Sequence, residues 1–179
     1  MVVYEAAGQG QDFLLLNYTN MDFFVNRNQF SGSTSLEKIK KIDSPISFID
    51  SIFTFNNQNI LLFDCDTFLR TTYNCDKGNR SRLCLLMRME NFSERVSPLI
   101  RLLLGKSKKL SQEYFGLIIT SHSEIKKLDI EDIYLSPEGI RKHLNNHGLY
   151  GCRFPKEDRM QYFIDLEIII LNAIKGRKL

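Results

Sequence analysis

The sequence predicts a mostly β protein of small barrels or a sandwich. Short β-branched and aromatic runs recur at regular spacing with turn residues between them, and no long amphipathic crossover helix of the parallel α/β kind is present. The 179 residues are 43% apolar and 25% charged with only 10 Gly and 4 Pro, which excludes disorder and collagen-like repeats. At this length one domain is expected, burying roughly 70% of its unfolded surface without a disulfide or metal staple.

The elements follow in order. Residues 13–17 and 23–25 are apolar runs split by a polar stretch in which Asn20 or Asp22 can hold a turn, giving an N-terminal hairpin. Residues 26–35 turn to Asn, Gln, Ser and Gly and read as a loop, before a charged stretch at 36–41. Residues 46–55 and 59–63 form the firmest hairpin, because Asn56 and Asn57 accept positive φ between them. Asp64 or Asp66 then caps one helical turn at 67–70. A strand at 82–89 precedes a helix at 98–104, with Ser97 as N-cap, Pro98 at the first helical position and Gly105 as the stop. Strands at 114–121 and 124–128 flank Ser121-His122-Ser123, and Ser136-Pro137-Glu138 opens a helix that runs to about Asn145 and is closed by Gly148. Strands at 149–154 and 159–164 make a last hairpin across 155–158, and Asp165 caps a terminal helix at 166–174. A hairpin strand ending in an acidic residue and a short apolar helix thus occurs twice, at 59–64 and 161–165, as though each ended one half.

Net charge is +3, too little to argue for nucleic acid in bulk. Its distribution is uneven: residues 1–75 carry 5 basic against 8 acidic groups, residues 76–113 carry 9 against 4, and residues 114–179 carry 10 against 9. The opening MVVYEAAGQGQDF has no basic n-region or long apolar stretch, so neither export nor membrane insertion is expected and the location implied is cytoplasmic. Cys65, Cys75, Cys84 and Cys152 have no CxxC spacing and read as reduced, partly buried small hydrophobes.

Residues 90–113 combine Arg95, Arg101, Lys106, Lys108 and Lys109 with Leu99, Ile100, Leu102, Leu103 and Leu104. A helix apolar nearly all round either plugs its own protein or docks on a partner; seven residues without an aromatic anchor bury too little for a membrane surface. His143 and His147 stand i, i+4 with Cys152 beyond, a permissive zinc spacing, but the second His falls at a helix C-terminus where free carbonyls attract it. Asp64 and Asp66 read as strand end and cap rather than an acid–base pair. Adjacent Ser and His in a strand face opposite ways, so Ser121 and His122 make no catalytic couple. No Gly-rich phosphate loop or P-loop exists, so no cofactor and no enzymatic role are expected.

The run from Phe115 to Glu138, GLIITSHSEIKKLDIEDIYLSP between them, resembles the CheW family of chemotaxis adaptors, in which a Gly-Leu-x-x-Asp strand leads to Val-x-x-Ile, then Leu-x-x-Glu-Asp-Ile, then Pro. Residues 148–154 and 159–169, ending Asp165-Leu166-Glu167, are similar to the family's closing strand and helix, and 13–25 and 45–64 follow its order of elements. The resemblance covers about four fifths of the chain and implies two intertwined five-stranded SH3-like barrels with short helices, a helical insertion and a C-terminal helix. It implies one domain over 1–179 with two barrel lobes, and a non-catalytic adaptor that scaffolds a histidine kinase to chemoreceptors. The kinase's regulatory domain would meet apolar barrel ends, and the receptor's cytoplasmic tip would meet the groove between barrels. The first-barrel hairpin, Phe53, Phe55, Asn56 and Asn57, is the expected contact, joined by Leu99, Leu102 and Leu103 of the insertion. Two departures stand out. The family hairpin reads Gly-x-x-Asn-Leu-Arg-Gly, whereas spacing puts Asn56 on the Arg position; and about two dozen residues are inserted where the family turns tightly. These favour an alternative, a divergent scaffold for another signalling complex; a rival of a different class is a small-barrel nucleic-acid binder using 76–113 as a basic stripe.

Overall fold

The structure is a computed structural model describing residues 10–18, 21–36, 38–44, 46–74, 82–105, 110–120, 123–135, 137–153 and 161–176. Cys75, the Lys106, Lys108 and Lys109 cluster, His122 and the turn expected at 155–158 lie outside the described residues. The N-terminal hairpin forms as the sequence predicts: β1 (Gln11–Asn17) pairs antiparallel with β2 (Asp22–Asn26), Phe13 opposite Asn26 and Asn17 opposite Asp22. The expected loop at 26–35 instead contains a 3-10 turn at Arg27–Gln29 and a strand, β3 (Gly32–Ser35). A Gly-Ser-Thr-Ser strand has no apolar period to announce it; its partner strand makes it one. The charged stretch supplies β4 (Ile39–Lys41), exposed throughout.

The strand expected over 46–55 is shorter. Residues 46–49 make a turn in which Phe48 takes φ 68° and its carbonyl accepts the Asp64 N–H at 2.7 Å, so β5 (Ser51–Phe55) begins only afterwards. Phe48 spends its ring on Phe68, edge to face at 5.4 Å, rather than on a ladder. After β6 (Gln58–Phe63), α1 (Cys65–Tyr73) runs nine residues rather than one turn. Asp64 caps it by accepting the Thr67 N–H at 2.8 Å, and burial of Cys65, Phe68 and Leu69 carries it past two threonines.

β7 (Arg82–Arg88) leads through a 3-10 turn at Met89–Asn91 to α2 (Ser97–Gly105). Ser97 is already inside this helix: its N–H donates to the Ser93 carbonyl at 3.0 Å, and the Val96 carbonyl accepts from Ile100 at 3.1 Å. β8 (Leu110–Thr120) starts four residues before the expected 114. Then follow β9 (Ser123–Leu128), a 3-10 turn at Ile130–Asp132, β10 (Tyr134–Leu135), α3 (Glu138–Asn146), β11 (Leu149–Arg153), β12 (Gln161–Ile164) and α4 (Leu166–Ile174). Gly148, at φ 82°, ends α3 where the sequence places the stop.

Two mixed six-stranded sheets result, ordered β10-β11-β12-β2-β1-β9 and β3-β7-β8-β6-β5-β4. Each has one strand more than the five expected per barrel, because β4 and β10 add pieces of three and two residues. In each sheet the edge strands are neighbours in sequence: β3 joins β4 across 36–38, and β9 joins β10 across 129–133. Connections this short draw the edges of each sheet toward each other, the geometry of two SH3-like barrels. The first hairpin crosses into the C-terminal barrel, where β2 lies parallel to β12, while β6 lies parallel to β8 in the other. The repeated strand–acid–helix unit therefore does not end two sequential halves, since β7 and β8 complete the first barrel after Asp64.

Alternation along the strands creates three cores. Phe13, Leu15, Phe24 and Phe163 fill one barrel. Phe53, Ile60, Leu62, Cys84, Leu86 and Ile118 fill the other. Their strand neighbours Leu14, Leu16, Phe23, Leu61, Phe63, Leu85, Leu117 and Ile119 point the opposite way into a larger central core with α1, α2 and α4. Strands buried on both faces read as continuous apolar runs, as 13–16, 60–63 and 83–87 do.

Candidate protein interface

The β5–β6 hairpin pairs Phe55 with Gln58, leaving a two-residue turn. Both turn residues have positive φ, Asn56 48° and Asn57 62°, the twist that two-residue hairpins require and that Asn tolerates. Thr54 Oγ1 donates to Asn59 Oδ1 across the strands at 3.0 Å. The expected contact set divides here. Asn56 and Asn57 are exposed and Phe55 is half-buried. Phe53, only 5% exposed, belongs to the barrel interior and supports the Phe55 ring from 6.2 Å. Tyr114 holds Phe55 from its other side, edge to face at 6.4 Å. Asn56 at the tip presents a neutral amide.

The insertion has two faces. Phe92, Val96, Ile100 and Leu104, four residues apart along a helical path, are all buried in the central core, with Phe92 edge-on to Phe115 at 6.0 Å. Glu167 at the start of α4 fastens the insertion by accepting the Ser93 N–H at 2.8 Å. Leu99 and Leu103 are half-buried flanks, whereas Leu102 points outward at 66% exposure beside exposed Arg101. The helix thus plugs the protein along one side and offers Leu102 and Arg101 on the other.

The structure brings the two candidate regions together. A cleft of about 630 Å³ is lined by Asn57 and Gln58, by Arg88, Met89 and Glu90, by Arg101 of α2 and by 110–113; of the expected contact residues Asn57 alone takes part in it. The 110–113 stretch belongs to a bulge: β6 and β8 pair Asn59 with Leu110 and Leu61 with Phe115, so four residues of β8 stand opposite Ile60 alone. Ser111 Oγ pins the bulge, donating to Gln58 Oε1 at 2.8 Å and accepting the N–H groups of Glu113 and Tyr114 at 3.3 and 3.2 Å. Gln58 and Ser111 escape a pattern reading because nothing local links residues 53 positions apart; the polar Ser-Gln-Glu interruption of an apolar strand is the one trace. Arg88 pairs with Glu90 at 3.2 Å, which holds its guanidinium still more firmly protonated than usual.

A second cleft, about 780 Å³, opens between the sheets, with Gln11 and Asn26 from one, Met87 from the other, and Gln29, Asn145 and Asp165 around them. Gln29 Nε2 donates to Asp165 Oδ1 at 3.2 Å. This is the groove between barrels, and six of its lining residues, Gln11, Asn26, Asn28, Gln29, Asn91 and Asn145, carry side-chain amides.

The other candidates serve structure. Asp64 caps α1, and Asp66 accepts from the Tyr18 hydroxyl at 3.1 Å and pairs with Arg70 at 3.2 Å. Arg82 reaches both carboxylates at 3.6 and 3.9 Å. With Arg82 and Arg88 paired to carboxylates, the basic stripe of 76–113 is interrupted among the described residues. His143 and His147 lie with ring centroids 4.4 Å apart, and burial followed by the His143 charge lowers the His147 pKa. Among the described residues no three His, Cys, Asp or Glu side chains gather as a metal site would need. Burial drives the Cys65 thiol far up and pushes Cys84 up to about 12, so both are held as unreactive thiols.

No family model matches the chain, and no curated protein matches it in sequence. Among solved structures, the scaffolding protein TtCheW from Thermoanaerobacter tengcongensis aligns with a TM-score of 0.59 at 14% identity, over 95% of this chain and 97% of that one. Two barrels sharing a central core, a first hairpin crossing into the second barrel and an alignment running nearly end to end lead to one architecture: the chain has a CheW-like fold.

Proposed function

We propose that the protein is a non-catalytic signalling adaptor that scaffolds a histidine kinase to chemoreceptors through protein–protein contacts. The observation that carries this reading is the near end-to-end likeness to a scaffolding protein. Phe55, Asn56 and Asn57, propped by buried Phe53, form the contact for the kinase's regulatory domain. The amide-rich cleft between the sheets takes the receptor tip. Leu99, Leu102 and Leu103 add a contact peculiar to this chain, made chiefly by Leu102. Among the described residues no helix is long and apolar enough to cross a membrane, and recruitment is by protein contact.

One observation favours a second reading. Asn56 occupies the hairpin tip where the resemblance places Arg, and a short neutral amide cannot make the bidentate pair that a guanidinium makes with a carboxylate. The chain would then scaffold a different signalling complex. Calorimetry of the full chain against the regulatory domain of its host's chemotaxis kinase and against a receptor signalling-tip fragment decides between them. The adaptor reading expects binding to both, tightened in Asn56→Arg; absence of binding to either overturns it and leaves the second reading.

A further inference from the structure

The outward side of the insertion is built for something. Leu102 is the most exposed large apolar side chain described, and Arg95 and Arg101, both exposed, have no carboxylate within ion-pair distance among the described residues. Arg101 lines the 630 Å³ cleft while Leu102, the next residue of α2, is exposed outside its lining, and that volume lies within the roughly 300–1,000 Å³ range of ligand pockets. Part of its lining is preorganised, because Ser111 fixes the bulge of β8 and the Gln58 side chain with three hydrogen bonds. Glu113 shares the lining with the unpaired Arg101, and Glu90 neutralises Arg88.

This pattern selects an occupant. A phosphate backbone or an anionic membrane is held by contiguous cations, whereas among the described lining residues Arg88 is already paired with Glu90 and Arg101 stands as a single cation beside Glu113. A peptide can alternate its charges to match. We propose that the cleft between the β5–β6 turn and α2 is a docking site for a protein segment with an acidic residue next to a large apolar one. The carboxylate of that segment pairs with Arg101, its apolar side chain packs on Leu102, and donors beyond it meet Glu113 and the Gln58 amide. This site deepens the insertion contact of the adaptor reading and rests on it, since it shares Leu102 and the Asn57 side of the hairpin turn, but it needs neither the kinase nor the receptor to be read out.

The test selects a phage-displayed library of random short peptides on the immobilised full-length protein. Arg101→Glu, Leu102→Asp and, as a control on a distant exposed strand, Lys40→Glu are run beside it, each checked for a native melt. Enriched peptides are expected to pair Asp or Glu with Leu, Ile or Phe, to bind Lys40→Glu normally and to lose roughly tenfold or more in affinity to either cleft variant. No enrichment, enrichment indifferent to both cleft variants, or selection of basic peptides overturns the proposal. So does tighter binding of a single-stranded oligonucleotide or phosphatidylserine vesicles that Arg101→Glu abolishes. Because the readout uses neither kinase nor receptor, its failure is distinct from failure of the adaptor reading.

Discussion

Gly116 shows how little freedom single positions have in the barrel that holds β7 and β8. A Cβ built there would lie 2.6 Å from Leu62 Cδ2 and 2.8 Å from Cys84 Sγ, both inside the barrel. Gly116→Ala is therefore expected to cost about 1–3 kcal/mol by overpacking, read as a lower urea midpoint at constant slope. Cys84→Ala in the same chain should recover part of that loss; strictly additive costs would show that the crowding is elsewhere. His147 sets a pH dependence. Its pKa is lowered in the fold below the 6.5 of an unperturbed histidine, first by burial and then by His143. Well above pH 6.5 the ring is neutral in both states and its titration leaves stability unchanged. As pH falls below 6.5 the unfolded chain binds the proton more readily, so stability declines. His147→Asn should flatten the decline between neutral and mildly acidic pH in a denaturation series.

At the level of elements, caps are the best-written instructions in this sequence. Asp165 Oδ1 accepts the N–H groups of Glu167 and Ile168 at 2.9 and 3.4 Å and also the Gln29 amide at 3.2 Å, joining α4 to the 3-10 turn after β2. Asp165→Ala should cost about 1–2 kcal/mol, with Asp165→Asn keeping most of it, again by urea denaturation. Asp64, Asp165, Gly148 and the two turn asparagines act through neighbours a few residues away, which is why the sequence discloses them. β3 and β4 were not legible, because a polar strand exists only through the partner that pairs with it. The bulge of β8 and the Gln58–Ser111 bond are likewise made by strands distant in sequence. The two-faced nature of α2 was half legible: its leucines announced burial, but only packing reveals that Leu104 faces in and Leu102 faces out.

Across the molecule, the central core binds the barrels into one thermodynamic unit. Both sheets and α1, α2 and α4 contribute to it, so neither barrel can shed its partner without exposing that face. Thermal unfolding should be one transition with equal calorimetric and van't Hoff enthalpies; two resolved transitions would refute a shared core. The register between first and last parts of the chain is guarded by Gln161, whose amide donates to buried Asp22 at 3.2 Å. The parallel seam of β2 against β12 also has a consequence in time. On a ribosome that adds about 5–20 residues per second, β2 emerges on the order of ten seconds before the strand it must lie beside. During that interval the hairpin of β1 and β2 exposes Phe23, Phe24 and Val25 with no strand to cover them. The N-terminal segment is thus the one most in need of a chaperone's shelter during synthesis, and the barrel it belongs to is the last to close.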